Sequence, residues 1–186
     1  TNELISTYGA ETAVGGLIAL ALTRELAPVV TAIVIAGRVG ASITAEIGSM
    51  KATEQIDALR VMDIDPVDYL VVPRLLAGAI LAPLLTIVAC VAAILSAMYL
   101  SYHYKGLDFS IYLESVQEML STKDIIVALI KSSCFGILIV TIASTFGLNV
   151  KGSADSVGTY TTKTVVWSLI IIFITNYIIT SIFYGV

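Results

Sequence analysis

Between Arg74 and His103 the chain carries no charged side chain. As a helix, Leu75 to Tyr102 is roughly 40 Å long at 1.5 Å per residue, more than the ~30 Å hydrocarbon core of a bilayer. The rest of the composition agrees: 58% of the 186 residues are hydrophobic, 13% are charged, and the mean hydropathy is +0.95. Soluble domains carry about 25% charged residues. No aqueous core of this size holds that apolar surplus, so the chain reads as an integral, polytopic membrane protein of the all-α class.

Three more spans accompany Leu75–Tyr102. Thr12 to Ala45 follows a helical apolar pattern about 50 Å long, interrupted by Arg24-Glu25-Leu26-Ala27-Pro28, and reads as one kinked span or as a short apolar lead-in followed by a span. Gly37, Ala41 and Ala45 form a small-xxx-small row in it, with Gly40 beside them, which suits close helix contact in lipid. Arg38 lies near its end. Ile125 to Val150 is the third span, with Lys131 about two turns in. Thr164 to Val186 is the fourth, with Trp167 near one end, Asn176 mid-span, and Tyr177 and Tyr184 beyond. Pro73 and Pro83 are expected to re-aim the second. The division is a single domain over 1–186: spans at 12–45, 71–102, 125–150 and 164–186, and polar intervals at 46–70, 103–124 and 151–163. In the 103–124 interval Ile111, Leu113, Val116 and Leu120 predict a short interfacial helix.

The interval Ala45–Pro73 is the one long polar stretch with helical patterning. Ala52, Ile56, Leu59 and Met62 share a stripe, while Glu54 and Asp57 lie opposite. Asp65-Pro66 stops that helix, and Asp65 can cap the next with Pro66 at its first position. A two-faced helix between spans needs something to pack on, and a partner protein at the membrane face is the expected candidate. Lys51, Arg60, Arg74, Lys151 and Lys163 flank the two intervals on this side, against Lys105 and Lys123 on the other. The positive-inside rule then places Ala45–Pro73 in the cytoplasm and both ends of the chain outside.

Ionisable residues within spans mark cavities or partners. Arg24 and Glu25, loosened by Pro28, read as cavity residues or as a structural ion pair. Lys131 reads as a second cavity cation suited to an anionic phosphate headgroup, or as a side chain that snorkels outward. Asn176 reads as interhelical glue or as a ligand. No catalytic set stands out: His103 is the single histidine and lies in a loop. Cys90 and Cys134 both sit in apolar runs and make neither a disulfide framework nor a metal motif. No His/Asp/Glu cluster has metal spacing, so no metal is expected. With no phosphate-binding glycine loop, ATP hydrolysis belongs to another subunit. The net charge of −4 argues against a nucleic-acid partner.

The run RELAPVVTAIVIAGRVGASITAEIGSMKATEQIDALRVMDIDPVDYLVVPRLLAG, Arg24 to Gly78, closely resembles the signature of the MlaE (YrbE-type) permeases. The likeness continues through Lys131 and through GTYTTKTV, Gly158 to Val165. These are the membrane subunits of ABC transporters that work with MCE-domain proteins in lipid trafficking. The resemblance implies five spans, so four here would follow an N-terminal segment lying ahead of Thr1. It implies a homodimer in the inner membrane of a Gram-negative bacterium, an ABC ATPase subunit carrying the ATP and magnesium, a STAS-domain protein bound to that ATPase, and a periplasmic MCE hexamer. A glycerophospholipid cavity lies between the two permeases, here walled by Arg24, Glu25 and Lys131. The cytoplasmic coupling helix corresponds to Met50–Met62, with Met50, Lys51, Glu54, Gln55, Asp57, Ala58 and Arg60 facing or bracing the ATPase. Gly37, Gly40 and Ala41 are the expected packing positions. The function implied is a non-enzymatic permease subunit that moves phospholipid between inner and outer membranes and maintains outer-membrane asymmetry. A stand-alone secondary transporter, with Arg24, Glu25 and Asn176 as its ion site, and an intramembrane hydrolase are the rival readings.

Overall fold

The computed structural model describes residues 15–105, 108–151 and 154–185. Thr12, where the first span was expected to begin, lies outside the described residues, as does the polar stretch before it. Six helices are described: α1 (Gly15–Ala52), α2 (Gln55–Val61), α3 (Val72–Lys105), α4 (Phe109–Met119), α5 (Thr122–Leu148) and α6 (Ala154–Tyr184). Of these α1, α3, α5 and α6 are long and apolar enough to cross a membrane, as the sequence predicts.

Helix α5 is the centre, packed against α1, α3 and α6. In the most apolar stretches of α1 and α5, 39% and 44% of residues are buried inside the bundle, against 11% in α3 and in α6. Lipid tails are as apolar as leucine, so helices associate through close packing and polar contacts. The closest approach is glycine on glycine. A Cβ on Gly136 of α5 would overlap the Gly78 carbonyl of α3, and a Cβ on Gly78 would meet Val140 at 2.8 Å. Around that contact Ala32, Ile35, Ala36, Ala82, Phe135, Ile139 and Ile172 form the mid-bundle core.

Prolines inside two spans leave carbonyls without a helical donor, and lipid offers none. Pro28 cannot return an N–H to the Arg24 carbonyl. Lys131 Nζ of α5 donates to that oxygen at 3.1 Å. Pro83 likewise frees the Ala79 carbonyl of α3, and Ser133 Oγ of α5 donates to it at 3.2 Å. The chain ahead of Pro28 widens into a π turn at Leu22–Leu26, and a second π turn occupies Ala36–Gly40. A third, at Val67–Val71, leads into α3 just ahead of Pro73.

Several expectations change in detail. The stretch Met50–Met62 is not one helix. Helix α1 runs on to Ala52, and Glu54 takes a left-handed φ of 60° that reverses the chain before α2. The interval 151–163 is helical from Ala154, where the Thr161 and Thr162 hydroxyls both donate back to Gly158 O. The packing row on α1 is turned one residue from Gly37, Ala41 and Ala45. Ala36, Gly40, Thr44 and Gly48 face the bundle, whereas nothing lies within 4 Å of a Cβ on Gly37. Gly40 is the one glycine of the expected set that packs, its Cβ position 3.1 Å from Ile139.

The interfacial helix is present as α4, with Tyr112, Ser115 and Val116 turned inward and Leu113 outward. Tyr112 sits against Gly15 at the start of α1, and burial pushes its phenol above the usual tyrosine range. Asp65 caps the turn into α3 as the sequence predicts, accepting from Val67 N–H at 2.8 Å.

Gly136→Val should lower stability by about 3 kcal/mol, because its new carbons meet a rigid carbonyl. Gly37→Ala should shift it by less than ~0.5 kcal/mol. Thermal melting of the detergent-solubilised protein separates the two.

Candidate functional site

Polar side chains gather at both ends of the bundle. At the end away from α2, Arg24 and Glu25 leave the first π turn of α1 in different directions and do not pair with each other. Arg24 Nε donates to Asp124 Oδ1 at 2.7 Å. Tyr184 OH of α6 donates to the same oxygen at 2.8 Å, and the Arg24 guanidinium lies 4.3 Å from the centre of the Tyr184 ring. Asp124 is held by the start of its own helix. Its other oxygen accepts from Ser121 N–H at 3.1 Å while Ser121 Oγ accepts from Lys123 N–H. This is a capping box, so the carboxylate that receives Arg24 also begins α5.

Glu25 turns to Lys131. Oε1 accepts from Lys131 Nζ at 2.8 Å and from Thr180 Oγ1 at 2.9 Å, and Oε2 accepts from Asn176 Nδ2 at 2.7 Å. Lys131 is fully buried, and its ammonium also donates to Thr180 Oγ1 at 2.7 Å and to the Arg24 carbonyl. Three donors thus meet three acceptors, which is how a cation is kept charged inside an apolar bundle. Lys131 therefore does not snorkel, and Asn176 binds a charged partner on another helix. Arg24 and Glu25 keep 35% and 39% of their side chains open to the outside of the bundle.

At the other end, Thr44 of α1 contacts Thr164 of α6 at 2.8 Å and donates to the Gly40 or Ala143 carbonyl, all of it buried. Beneath this node sits α2. Ile56 is fully buried among Ile43, Ile47, Leu70, Val140 and Ala143, with Leu59 and Met50 partly buried beside it. Of the apolar stripe expected to await a partner, Ile56 is covered by the chain's own spans and Ala52 and Leu59 partly so, while Met62 stays exposed. What α2 leaves bare is its other face: Glu54, Gln55, Ala58 and Arg60 are exposed, as are Val61 at 88% and Met62 at 61%. Lys51 Nζ holds Asp57 at 2.9 Å, and Arg60 lies 3.7 Å from the same carboxylate, so these charges brace α2. Between α2 and the start of α3 lies a groove of about 440 Å³ lined by Arg60, Asp63, Ile64, Asp65, Pro66, Val67 and Leu148.

Sequence reasoning missed Asp124, Tyr184 and Thr180 as members of the outer cluster. The S-x-x-D spacing of Ser121 and Asp124 was the available signal for the first. Tyr184 and Thr180 meet α1 only through the fold. Arg38 was noted but given no role. It is exposed on the face of α1 directly away from the bundle, with no ion pair to any described residue.

Because Glu25 neutralises Lys131, a charge-reversing Glu25→Arg would break the node as well as alter the surface, and Glu25→Gln is the cleaner probe. Lys131→Met should cost about 3 kcal/mol by leaving Glu25 uncompensated, and Glu25→Leu added to it should recover most of that loss. Unfolding of the single and double variants in detergent measures both.

The permease MlaE family model matches residues 1–182. Over 170 residues the chain is 46% identical to a probable ABC transporter permease protein of Synechocystis, covering 91% of this chain and 65% of that protein. It is 41% identical over 176 residues to the protein TRIGALACTOSYLDIACYLGLYCEROL 1, chloroplastic, of Arabidopsis thaliana, covering 95% and 50%. It is 43% identical over 181 residues to a probable ABC transporter permease protein of Rickettsia prowazekii, covering 97% and 70%. The chain thus spans about half to two thirds of the length of the first of these relatives. With a family match over nearly its whole length and four membrane-spanning helices, the chain belongs to the MlaE permease family.

Proposed function

We propose that this chain is the membrane subunit of an ATP-driven transporter that carries glycerophospholipid between the inner and outer membranes of a Gram-negative bacterium and so maintains outer-membrane asymmetry. The observation that carries the reading is the seating of α2. Ile56 inserts between α1, α3 and α5 while the opposite face stays bare. A push on the bare face is delivered to three spans at once. Gln55, Ala58 and Arg60, with Val61 and Met62, form the surface for the ABC ATPase. Met50, Lys51 and Asp57 stiffen it from behind, and Glu54 makes the turn. ATP and magnesium act on the partner, and this chain's part is mechanical.

Two copies enclose the lipid. The row Gly37, Ala41 and Ala45, open at Gly37 and half-buried at the two alanines, supports a second helix approaching α1 from outside. The partly open Arg24 and Glu25 supply polar wall to the cavity, and Lys131 behind them fixes Glu25 in place. An MCE hexamer caps the end that carries α4, and a STAS-domain protein attaches through the ATPase. The name of the Arabidopsis relative refers to a lipid built on diacylglycerol, which supports a diacyl cargo. Against the ion site that a stand-alone carrier needs, both Glu25 oxygens are taken, by Lys131 and Thr180 and by Asn176, which leaves only the buried Asn176 Oδ1 without a partner among the described residues.

In the purified complex, Val61→Asp or Ala58→Trp should reduce co-purifying ATPase about tenfold while the melting of the permease is unchanged. Full retention of the ATPase and of transport in both variants would remove α2 as the docking element. Glu25→Gln should slow lipid transfer between vesicles several-fold with the ATPase still bound, and an unchanged rate would remove Glu25 from the lipid path.

A further inference from the structure

Where α1 meets α3, a slot of about 230 Å³ opens on the flank of the bundle, with walls that are almost wholly hydrocarbon. Ile35, Val39 and Ile43 form one wall, a single ridge of α1 at a spacing of four residues. Ala77, Leu81 and Leu85 form the other, at the same spacing on α3. Both helices are long and apolar enough to cross a membrane here, so the slot lies at membrane depth, and its mouth is open among the described residues. One turn of a helix about 10 Å across fills roughly 400 Å³. A protein helix can therefore lie over this slot but not in it, whereas a single acyl chain fits between the ridges.

The end of the slot nearer α2 is marked by Arg74, the last charged residue before α3 enters its charge-free run. The Glu46 carboxylate accepts from Arg74 Nη2 at 2.7 Å. The other terminal nitrogen, Nη1, is buried and has no hydrogen-bond partner among the described residues. A guanidinium stays charged and donates through every N–H, so a buried, unmatched one calls for an anionic oxygen.

We propose that this slot seats a glycerophospholipid of the leaflet on the α2 side, one acyl chain between the two ridges and a phosphate oxygen on the Arg74 guanidinium, which turns its Nη1 outward to meet it, with anionic headgroups preferred. Glu46 occupies half of the guanidinium and holds that preference to a modest level. The seat lies on the flank of the bundle, away from the Arg24, Glu25 and Lys131 cluster, and does not rest on the transport reading.

The test uses the full-length protein in its complex, in phosphatidylcholine nanodiscs doped with photoactivatable phosphatidylglycerol or with photoactivatable phosphatidylcholine. Mass spectrometry then reads label on the α1 and α3 peptides. Phosphatidylglycerol should label them about fivefold more than phosphatidylcholine. Ala77→Trp fills the slot from an exposed position and should abolish labelling by both. Arg74→Gln should bring the ratio close to one, while Glu46→Gln, which frees the second nitrogen, should raise it. A pair that serves only to brace α1 against α3 makes the two charge variants behave alike, and that result overturns the proposal. So does a wild-type ratio near one, labelling that survives Ala77→Trp, or a photoreactive residue at Leu81 that captures a protein segment instead of lipid.

Discussion

A carbonyl stranded in hydrocarbon has no water to turn to, and the bundle is arranged around that fact. Pro28 and Pro83 each strand one, on α1 and on α3, and both are answered from α5, by Lys131 and Ser133. The same helix presents Gly136 for the closest backbone approach and Asp124 for the Arg24 guanidinium. Its central place follows from this. It is the helix whose polar groups complete its neighbours, and the neighbours leave their other faces to lipid or to partners.

This arrangement separates two kinds of polar residue. At the end away from α2 the charged groups are matched to partners: Lys131 with Glu25, Thr180 and the Arg24 carbonyl, and Asp124 with Arg24, Tyr184 and its own cap. Such a network is costly to break and rigid while intact. Those at the α2 end are braces on a small helix whose one deep anchor is Ile56. The matched cluster ties α1, α5 and α6 together and α2 is seated on α1, α3 and α5, so the two ends share α1 and α5.

Much of this was legible in the sequence. The charge-free run after Arg74 fixes a membrane span by length alone, and Asp65-Pro66 fixes a turn by the chemistry of its cap. The helix break at Glu54 was not legible, because a left-handed glutamate between two good helical stretches has no local signal. The bundle-facing row of α1 lies one residue from the row that the sequence singled out. Gly37-xxx-Ala41-xxx-Ala45 and Ala36-xxx-Gly40-xxx-Thr44 are equally small, and only the approach of Ile139 and Thr164 selects the second. Arg24 and Glu25 were recognised as out of place in lipid. Their partners lie about a hundred residues or more away in sequence, so spacing alone did not reveal that the two side chains diverge.

The most direct measurement is a double-mutant cycle between Pro28→Ala and Lys131→Met, read by reversible unfolding of the protein in detergent. Alanine at 28 returns an N–H to the Arg24 carbonyl, so the loss caused by Lys131→Met should shrink by about 1 kcal/mol in that background. If the two changes are additive, the lysine is not answering the carbonyl that the proline frees, and the role given to α5 is wrong.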